Sequence, residues 1–353
     1  KMPNNKILLN LIKKKEPLTI EDYTNLCLYK KNGYYINSKI LGQKGDFITA
    51  PEISQLFGEI IGIYIYSYWT SFSKKNFNLV ELGPGRGTLM IDILNITKKL
   101  KHFNRLNNIC FIEKNLHLIK EQKKKMKKFH FDISSIKWRK KISIGNKNPT
   151  IIIANEFFDC LPIRQFYKNN NLWYEKMIAY NNHEQRVFFR DKKIHSHALI
   201  KKIKKNTSNN VLELSKSRDD YFSKICNHLK KNGGMALIID YGYYEELQHF
   251  TLQSVYNNKK SNVLDNIGMQ DITSLVNFQK LIKIAKAFKF NIDVFTSQKE
   301  FLLKNGIRER ANIIKKNANH DQKKSIDSGF KRLTDNTQMG SLFKVLAISK
   351  KNE

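Results

Sequence analysis

Acidic residues are scarce in this chain, cysteines are few, and no long apolar run occurs. Of 353 residues, 31 are Asp or Glu against 63 Lys or Arg, which leaves a formal net charge of +32. A nucleic-acid or anionic-membrane partner is one reading of that excess; lysine-rich compositional bias is the other. The basic residues are mostly lysines spread over the whole chain, including loops such as Lys168 to Asn171 and Lys204 to Asn210, rather than arginines gathered in one stripe. That spread favours bias, and non-specific polyanion binding at low salt follows either way. The four cysteines, Cys27, Cys110, Cys160 and Cys226, stand far apart with no C-x-x-C, so no disulfide framework is indicated and a reducing compartment is expected. Cys110 and Cys160 fall in or beside apolar runs and read as small buried hydrophobes. Among the nine histidines only His195-x-His197 forms a close pair, and without a third ligand nearby no metal site is expected. The longest apolar stretch, Ile60 to Trp69, is interrupted by Gly62 and Ser67 and is too short to span a bilayer. The first residues show neither an apolar signal core nor a cleavage site. The expectation is a cytoplasmic protein with no membrane span.

What the chain does contain is concentrated in one stretch, Asn78-Leu-Val-Glu81-Leu-Gly83-Pro84-Gly85-Arg86-Gly87-Thr88. A short apolar run ends in an acid, three glycines follow at alternate positions, and Leu89 to Leu100 continues with helical apolar spacing. Strand, glycine turn and helix form the frame that holds a nucleoside-type cofactor at the carboxyl end of a parallel sheet. A dinucleotide fingerprint counted from Gly83 requires glycine at position 88, where Thr88 stands. Glu-x-Gly-x-Gly-x-Gly instead matches the first motif of S-adenosylmethionine (AdoMet) methyltransferases. That ligand presents an ammonium and a carboxylate, which suit an acid beside exposed backbone N–H groups. Glu81, Gly83, Pro84, Gly85 and Gly87 are therefore candidate cofactor residues.

The rest of the chain alternates strand and helix, the pattern of a parallel sheet with crossovers. Strands are expected at Phe77 to Leu82, Asn108 to Glu113, Ser135 to Trp138, Thr150 to Asn155 and Met235 to Asp240, with closing strands at Phe290 to Thr296 and Leu342 to Ser349. Thr19-x-x-Asp22 and Thr49-x-x-Glu52 resemble helix-capping signals, with Pro51 in the first turn of a helix expected to run from about Glu52 to Ser71. The expected organisation is an N-terminal helical segment, 1–72, contributing to the site. A Rossmann-like domain, 73–353, would follow, with a β-rich insertion near 165–215 and a mostly helical one near 241–330.

Three further groups of residues carry chemistry. Glu113 ends the second strand, where an acid in a doubly wound fold accepts both ribose hydroxyls. Asn155-Glu156-Phe157-Phe158-Asp159 follows the fourth strand. It puts an amide and two carboxylates at the sheet's active edge and lacks the Asn/Asp-Pro-Pro-aromatic turn of many amino-group methyltransferases. Two acids suit a cationic acceptor such as a guanidinium, so Asn155, Glu156 and Asp159 are the candidate catalytic residues. Asp240-Tyr241-Gly242 also ends a strand at that edge.

Taken in order, several segments together resemble one family. They are Gly45-Asp46-Phe-Ile-Thr49-Ala-Pro-Glu52-Ile-Ser-Gln-Leu-Phe-Gly58, the glycine motif, Asn155 to Pro162, Ile238 to Gly242, Thr251 to Gln253, Asp271-Ile-Thr273 and Met339 to Lys344. The likeness is to the MidA family, the mitochondrial complex I assembly methyltransferases and their bacterial relatives. It covers nearly the whole chain. It implies an α/β class I AdoMet methyltransferase core, a protein arginine acceptor on a core subunit of respiratory complex I, and a part for Asp46 and Thr49 in the cofactor or acceptor pocket. The mitochondrial matrix would apply only to a chain with a targeting segment. Two departures stand out: Gly268-Met269-Gln270 where the family often has Pro-Gly, and Lys114 to Lys120 without the usual Ser and Arg. An RNA methyltransferase, a non-catalytic AdoMet-binding assembly factor and a small-molecule methyltransferase are the alternatives.

Overall fold

The computed structural model describes residues 6–36, 49–72, 76–100, 106–142, 145 and 147–350. In chain order the elements are α1 (Lys6–Lys15), β1 (Leu18–Thr19), α2 (Ile20–Tyr29), α3 (Ala50–Ile53), α4 (Gln55–Phe72), β2 (Phe77–Leu82), α5 (Thr88–Thr97), β3 (Leu106–Ile112), α6 (Leu116–Lys128), β4 (Ile136–Arg139) and β5 (Thr150–Asn155). Then come β6 (Arg164–Asn169), β7 (Leu172–Asn181), β8 (Arg186–Lys193), α7 (His197–Asn206), β9 (Val211–Leu214), α8 (Lys216–Asn232) and β10 (Gly234–Tyr243). The chain closes with β11 (Gln253–Tyr256), β12 (Lys259–Ser261), β13 (Asp271–Thr273), β14 (Val276–Asn277), α9 (Phe278–Ala287), β15 (Asn291–Ser297), α10 (Gln298–Lys304), α11 (Ile307–Lys316), α12 (His320–Thr334), α13 (Met339–Leu342) and β16 (Phe343–Lys350).

The elements fall into two compact units. The first comprises Lys1–Phe47, Asp159–Tyr221 and Tyr243–Gln279; the second comprises Ile48–Phe158, Phe222–Gly242 and Lys280–Glu353.

The second unit is built on a sheet in the order β15-β16-β10-β5-β2-β3-β4. Strands β4, β3, β2, β5 and β10 run parallel, and β16 runs antiparallel between β10 and β15. Every residue of β2 and β5 is buried, as expected of strands covered on both faces. The crossover from β2 leads to β3 on one side, while β5 lies on the other. The strand order therefore switches between β2 and β5, the position where doubly wound sheets open a crevice at their carboxyl ends. This is the class I methyltransferase fold.

Helix α4 explains the apolar run of the sequence. Gly58 and Gly62 let it approach α5 closely. A Cβ at Gly58 would sit 2.5 Å from the Cβ of Asp92, and one at Gly62 would sit 2.6 Å from Ile96 Cγ2. Glu59, on the same helix, is clamped in bidentate fashion by Arg310 (2.8 and 2.8 Å), which gives the Gly306 to Arg310 segment a structural role.

The first unit has its own core, around Leu8, Ile20, Tyr23, Ile178, Ile267 and neighbours. Its sheet runs β1-β7-β6-β9 with β8 added to β7, and β11 pairs with β12 and β13 in a small separate sheet. The expected capping of α2 is present, with the Thr19 hydroxyl accepting from Asp22 N (3.0 Å). Two expectations need correction. The helix read over Glu52 to Ser71 breaks at Ser54, which is extended (φ −159°, ψ 135°). The stretch 253–277 holds short strands rather than helix, because Gln253 to Tyr256 pairs on both edges.

Asp92 gives the fold a pH signature. Burial against α4 pushes its carboxyl up to about 7, Glu59 and Glu52 reinforcing the shift and Lys125 opposing it. Its Oδ2 has no hydrogen-bond partner among the described residues. The folded state therefore holds a proton that the unfolded chain, with an aspartate near about 3.9, releases much earlier. Stability falls as pH rises between about 4 and about 7, by an amount on the order of 1–3 kcal/mol. Asp92→Asn is expected to flatten that decline, so that denaturant titrations show a more stable variant at neutral pH and coincident curves at acid pH. Parallel curves over the whole range would contradict this.

Candidate active site

The carboxyl ends of β2, β3 and β5 bring together most of the residues singled out in the sequence. Glu81 lies within β2 and is 3% exposed. Its Oε2 finds no hydrogen-bond partner among the described residues, and burial pushes its carboxyl well above the ordinary range. The chain then turns through Gly83, anchored by its N–H on Ile112 O (3.1 Å), and closes with Gly87 N–H on Pro84 O (2.7 Å). Two of the glycines matter for different reasons, one for what surrounds it and one for its backbone conformation. Gly83 is left-handed (φ +59°), and a Cβ there would lie 2.9 Å from Phe157 Cδ2. Gly85 is also left-handed (φ +52°), but a Cβ there would meet nothing within 4 Å among the described residues. The backbone is thus bare toward an open space, where a ligand can lie against it.

The turn is held from outside by a residue that the sequence analysis missed. Gln122 of α6 is fully buried; its Nε2 donates to Gly85 O (2.7 Å) and its Oε1 accepts from Trp138 Nε1 (2.9 Å). A signal existed: Leu118, Gln122 and Met126 fall at successive helical intervals on the buried face, and a buried amide needs partners. It was hidden by the lysines that surround it.

Glu113, just past β3, accepts from Lys114 N (2.7 Å) and Asn115 N (2.8 Å) through one oxygen. Burial raises its carboxyl, and those hydrogen bonds oppose the rise. Asn115 in turn caps α6, accepting from His117 N (2.8 Å).

Asp46 lies outside the described residues. Thr49 is the N-cap of α3, but its side chain makes no cap hydrogen bond, so the expected capping box with Glu52 is not formed. Glu52 has stronger partners elsewhere. It accepts from the Thr88 hydroxyl and faces Arg86 at 3.6 Å and Lys125 at 3.7 Å, all around the glycine turn.

The turn after β5 is the second wall. Glu156 is left-handed (φ +49°), a costly conformation for a side chain with a Cβ. Asp240, fully buried in the carboxyl-terminal half of β10, fixes it by accepting from Phe157 N (3.2 Å) and Phe158 N (2.8 Å). The Glu156 Oε1 accepts from Ala50 N (3.2 Å) and Asn155 Nδ2 (3.2 Å). Asn155 Oδ1 is buried without a hydrogen-bond partner among the described residues.

Asp159 belongs to the first unit. Burial pushes its carboxyl up to about 6, with Arg218 opposing. Arg218 itself donates to the carbonyls of Asp159 (3.0 Å), Ser274 (2.9 Å) and Leu275 (2.8 Å). In the same unit Tyr35 donates to Asp271 Oδ1 (2.8 Å), and its ring stacks on Tyr29 at 5.6 Å.

The family model described as "Putative S-adenosyl-L-methionine-dependent methyltransferase" matches residues 60–296. The chain belongs to this family. It is 32% identical over 330 residues to the Caenorhabditis elegans "Protein arginine methyltransferase NDUFAF7 homolog, mitochondrial", covering 86% of this chain and 76% of the relative. The Drosophila melanogaster protein of the same description is 30% identical, with 94% and 81% covered. A crystal structure of a Burkholderia thailandensis methyl transferase candidate bound to S-adenosyl-homocysteine shares the fold. Its TM-score is 0.86 at 21% identity, over 99% of this chain and 93% of that one.

The residues present fit the family's cofactor. The bare backbone at Gly85 leaves room for it, and Glu81 supplies a buried acid whose oxygen lacks a partner. Burial favours the neutral form of Glu81; an ammonium placed opposite it, as AdoMet would offer, favours the charged form. If Glu81 is that partner, binding would release a proton and affinity would rise with pH. Calorimetric titrations in two buffers of different ionisation heat are expected to differ by that proton. In Glu81→Gln the difference should vanish and binding should weaken. Identical heats for the native protein would show Glu81 already ionised.

Proposed function

We propose that the protein transfers a methyl group from AdoMet to the guanidinium of an arginine on a protein, with a subunit of respiratory complex I or its bacterial equivalent as acceptor. The observation that carries this reading is the Asn155-Glu156 turn. A carboxylate is held in a set orientation by a backbone N–H and an amide, beside the glycine turn and without the prolines of other amino-group enzymes. The names of the relatives, protein arginine methyltransferases, point the same way.

When bound, AdoMet supplies an electrophilic methyl on a sulfonium. In this reading Glu81 holds the ammonium end, Gly83, Pro84, Gly85 and Gly87 admit the ligand, and Glu113 takes the ribose hydroxyls. A guanidinium is protonated in water, with a pKa above about 12, and must lose a proton as its nitrogen is methylated. Glu156 orients the guanidinium and accepts that proton, and Asn155 positions the Glu156 carboxylate and offers its own Oδ1 to a donor. Asp159, three positions further along the chain, adds the second negative charge. Alignment of this kind can lower a barrier by roughly 7–11 kcal/mol. The N-terminal segment, residues 1–72, takes part through Ala50, Glu52 and Thr49, and by resemblance through Asp46. The bacterial cytoplasm is the proposed location. The four cysteines form no disulfide among the described residues, in keeping with a reducing compartment.

Incubation of the protein with labelled AdoMet and lysate is expected to place the label on arginine in a protein. Glu156→Gln should lower turnover by on the order of a hundredfold while leaving AdoMet affinity within about twofold. Label on RNA alone, or unchanged turnover in the variant, would overturn the assignment.

A further inference from the structure

Among the described residues, strand β8 is an open edge. It pairs with β7 in one unbroken antiparallel register from Tyr174↔Lys193 to Asn181↔Arg186. Among the described residues it pairs with no other strand. Natural edges are usually short, bulged or interrupted by proline; this one is eight residues long, regular and free of proline. Its outward N–H and C=O groups are a template for another strand. Only Val187 of the eight side chains is buried. Phe188 and Phe189, on opposite faces of the strand, are 37% and 39% exposed.

A cavity of about 620 Å³ lies along the same strand, lined by Phe188 and Phe189 together with Leu9, Tyr256, Leu264 and others, all of the first unit. The strand's charge selects what can lie there. Arg190, Lys192 and Lys193 stand on the strand beside one acid, Asp191, which already faces Lys176 at 3.7 Å, while Arg186 pairs with Glu184 and Asp265 is the acid lining the cavity. A second copy of this chain pairing edge to edge would bring the two basic rows together, and like charges across a strand pair repel. An RNA or another polyanion would satisfy the charge but neither the backbone donors and acceptors nor the phenylalanines. A protein segment with acids alternating with apolar side chains satisfies all three.

We propose that β8 is a docking edge to which a partner protein adds an extended acidic strand, its apolar residues entering the cavity beside Phe188 and Phe189. Main-chain hydrogen bonds supply the affinity and the alternate side chains supply the selection, as in other strand-addition complexes. The proposal stands independently of the methyl acceptor's identity, because it concerns the first unit's own surface.

The test uses the full chain and a short fluorescent peptide alternating Glu with Val and Phe. Fluorescence anisotropy should show saturable binding. Arg190→Glu combined with Lys192→Glu, and separately Phe188→Ser combined with Phe189→Ser, should each weaken it by about tenfold or more. The same peptide N-methylated on successive residues, which removes donors from both of its edges, should not bind. Unchanged thermal unfolding and unchanged AdoMet binding would show that the variants fold. Equal binding of the N-methylated peptide would reduce the edge to a charged patch and overturn the proposal, as would equal binding of a peptide with Lys in place of Glu, or no binding at all.

Discussion

The carboxylate of Asp240 is the constraint on which the second unit's crevice depends. It is fully buried in the carboxyl-terminal half of β10 and receives the N–H groups of Phe157, Phe158 and Tyr241. Backbone donors to a buried carboxylate make charge-assisted bonds stronger than neutral ones. With those bonds in place the chain leaves β5 in a left-handed turn at Glu156, and the Phe157 ring lies against the glycine turn. Gly83 must then be glycine, since a Cβ would strike that ring at 2.9 Å. One carboxylate therefore sets the spacing of the two turns that flank the switch point of the sheet.

Around that crevice the protein tolerates local costs. Glu81 and Asp92 are acids pushed toward neutrality by burial, and Glu156 occupies backbone space that favours glycine. Such features cluster where a ligand or a reaction relieves them. The basic excess takes a local form here: Arg86 and Lys125 converge on Glu52 beside the glycine turn, so part of the lysine load is structural.

The central sheet was legible because its strands announce themselves. Phe77 to Leu82 and Thr150 to Asn155 are continuous apolar runs, and parallel strands buried on both faces read that way. The glycine turn was legible because its spacing reflects backbone conformation. What was not legible depended on tertiary partners. Thr49-x-x-Glu52 has the local form of a capping box, but Glu52 is drawn to two cations and a hydroxyl that only the fold brings near. Gln122 sits in a lysine-rich helix whose polar sequence masks a buried face. The short strands at 253–277 are too brief for periodicity to separate them from loop. Asp240 read only as the end of a strand at the active edge, because its partners are backbone groups some eighty positions earlier in the chain.

The central claim is that the bare backbone between Glu81 and Thr88 receives a sulfonium nucleoside. A crystal structure of the protein with S-adenosylhomocysteine tests it most directly. The account predicts density at the carboxyl ends of β2 and β5, with the ligand's amino group on Glu81 and its chain across Gly85. Density elsewhere, with Gly85 facing solvent, would contradict it.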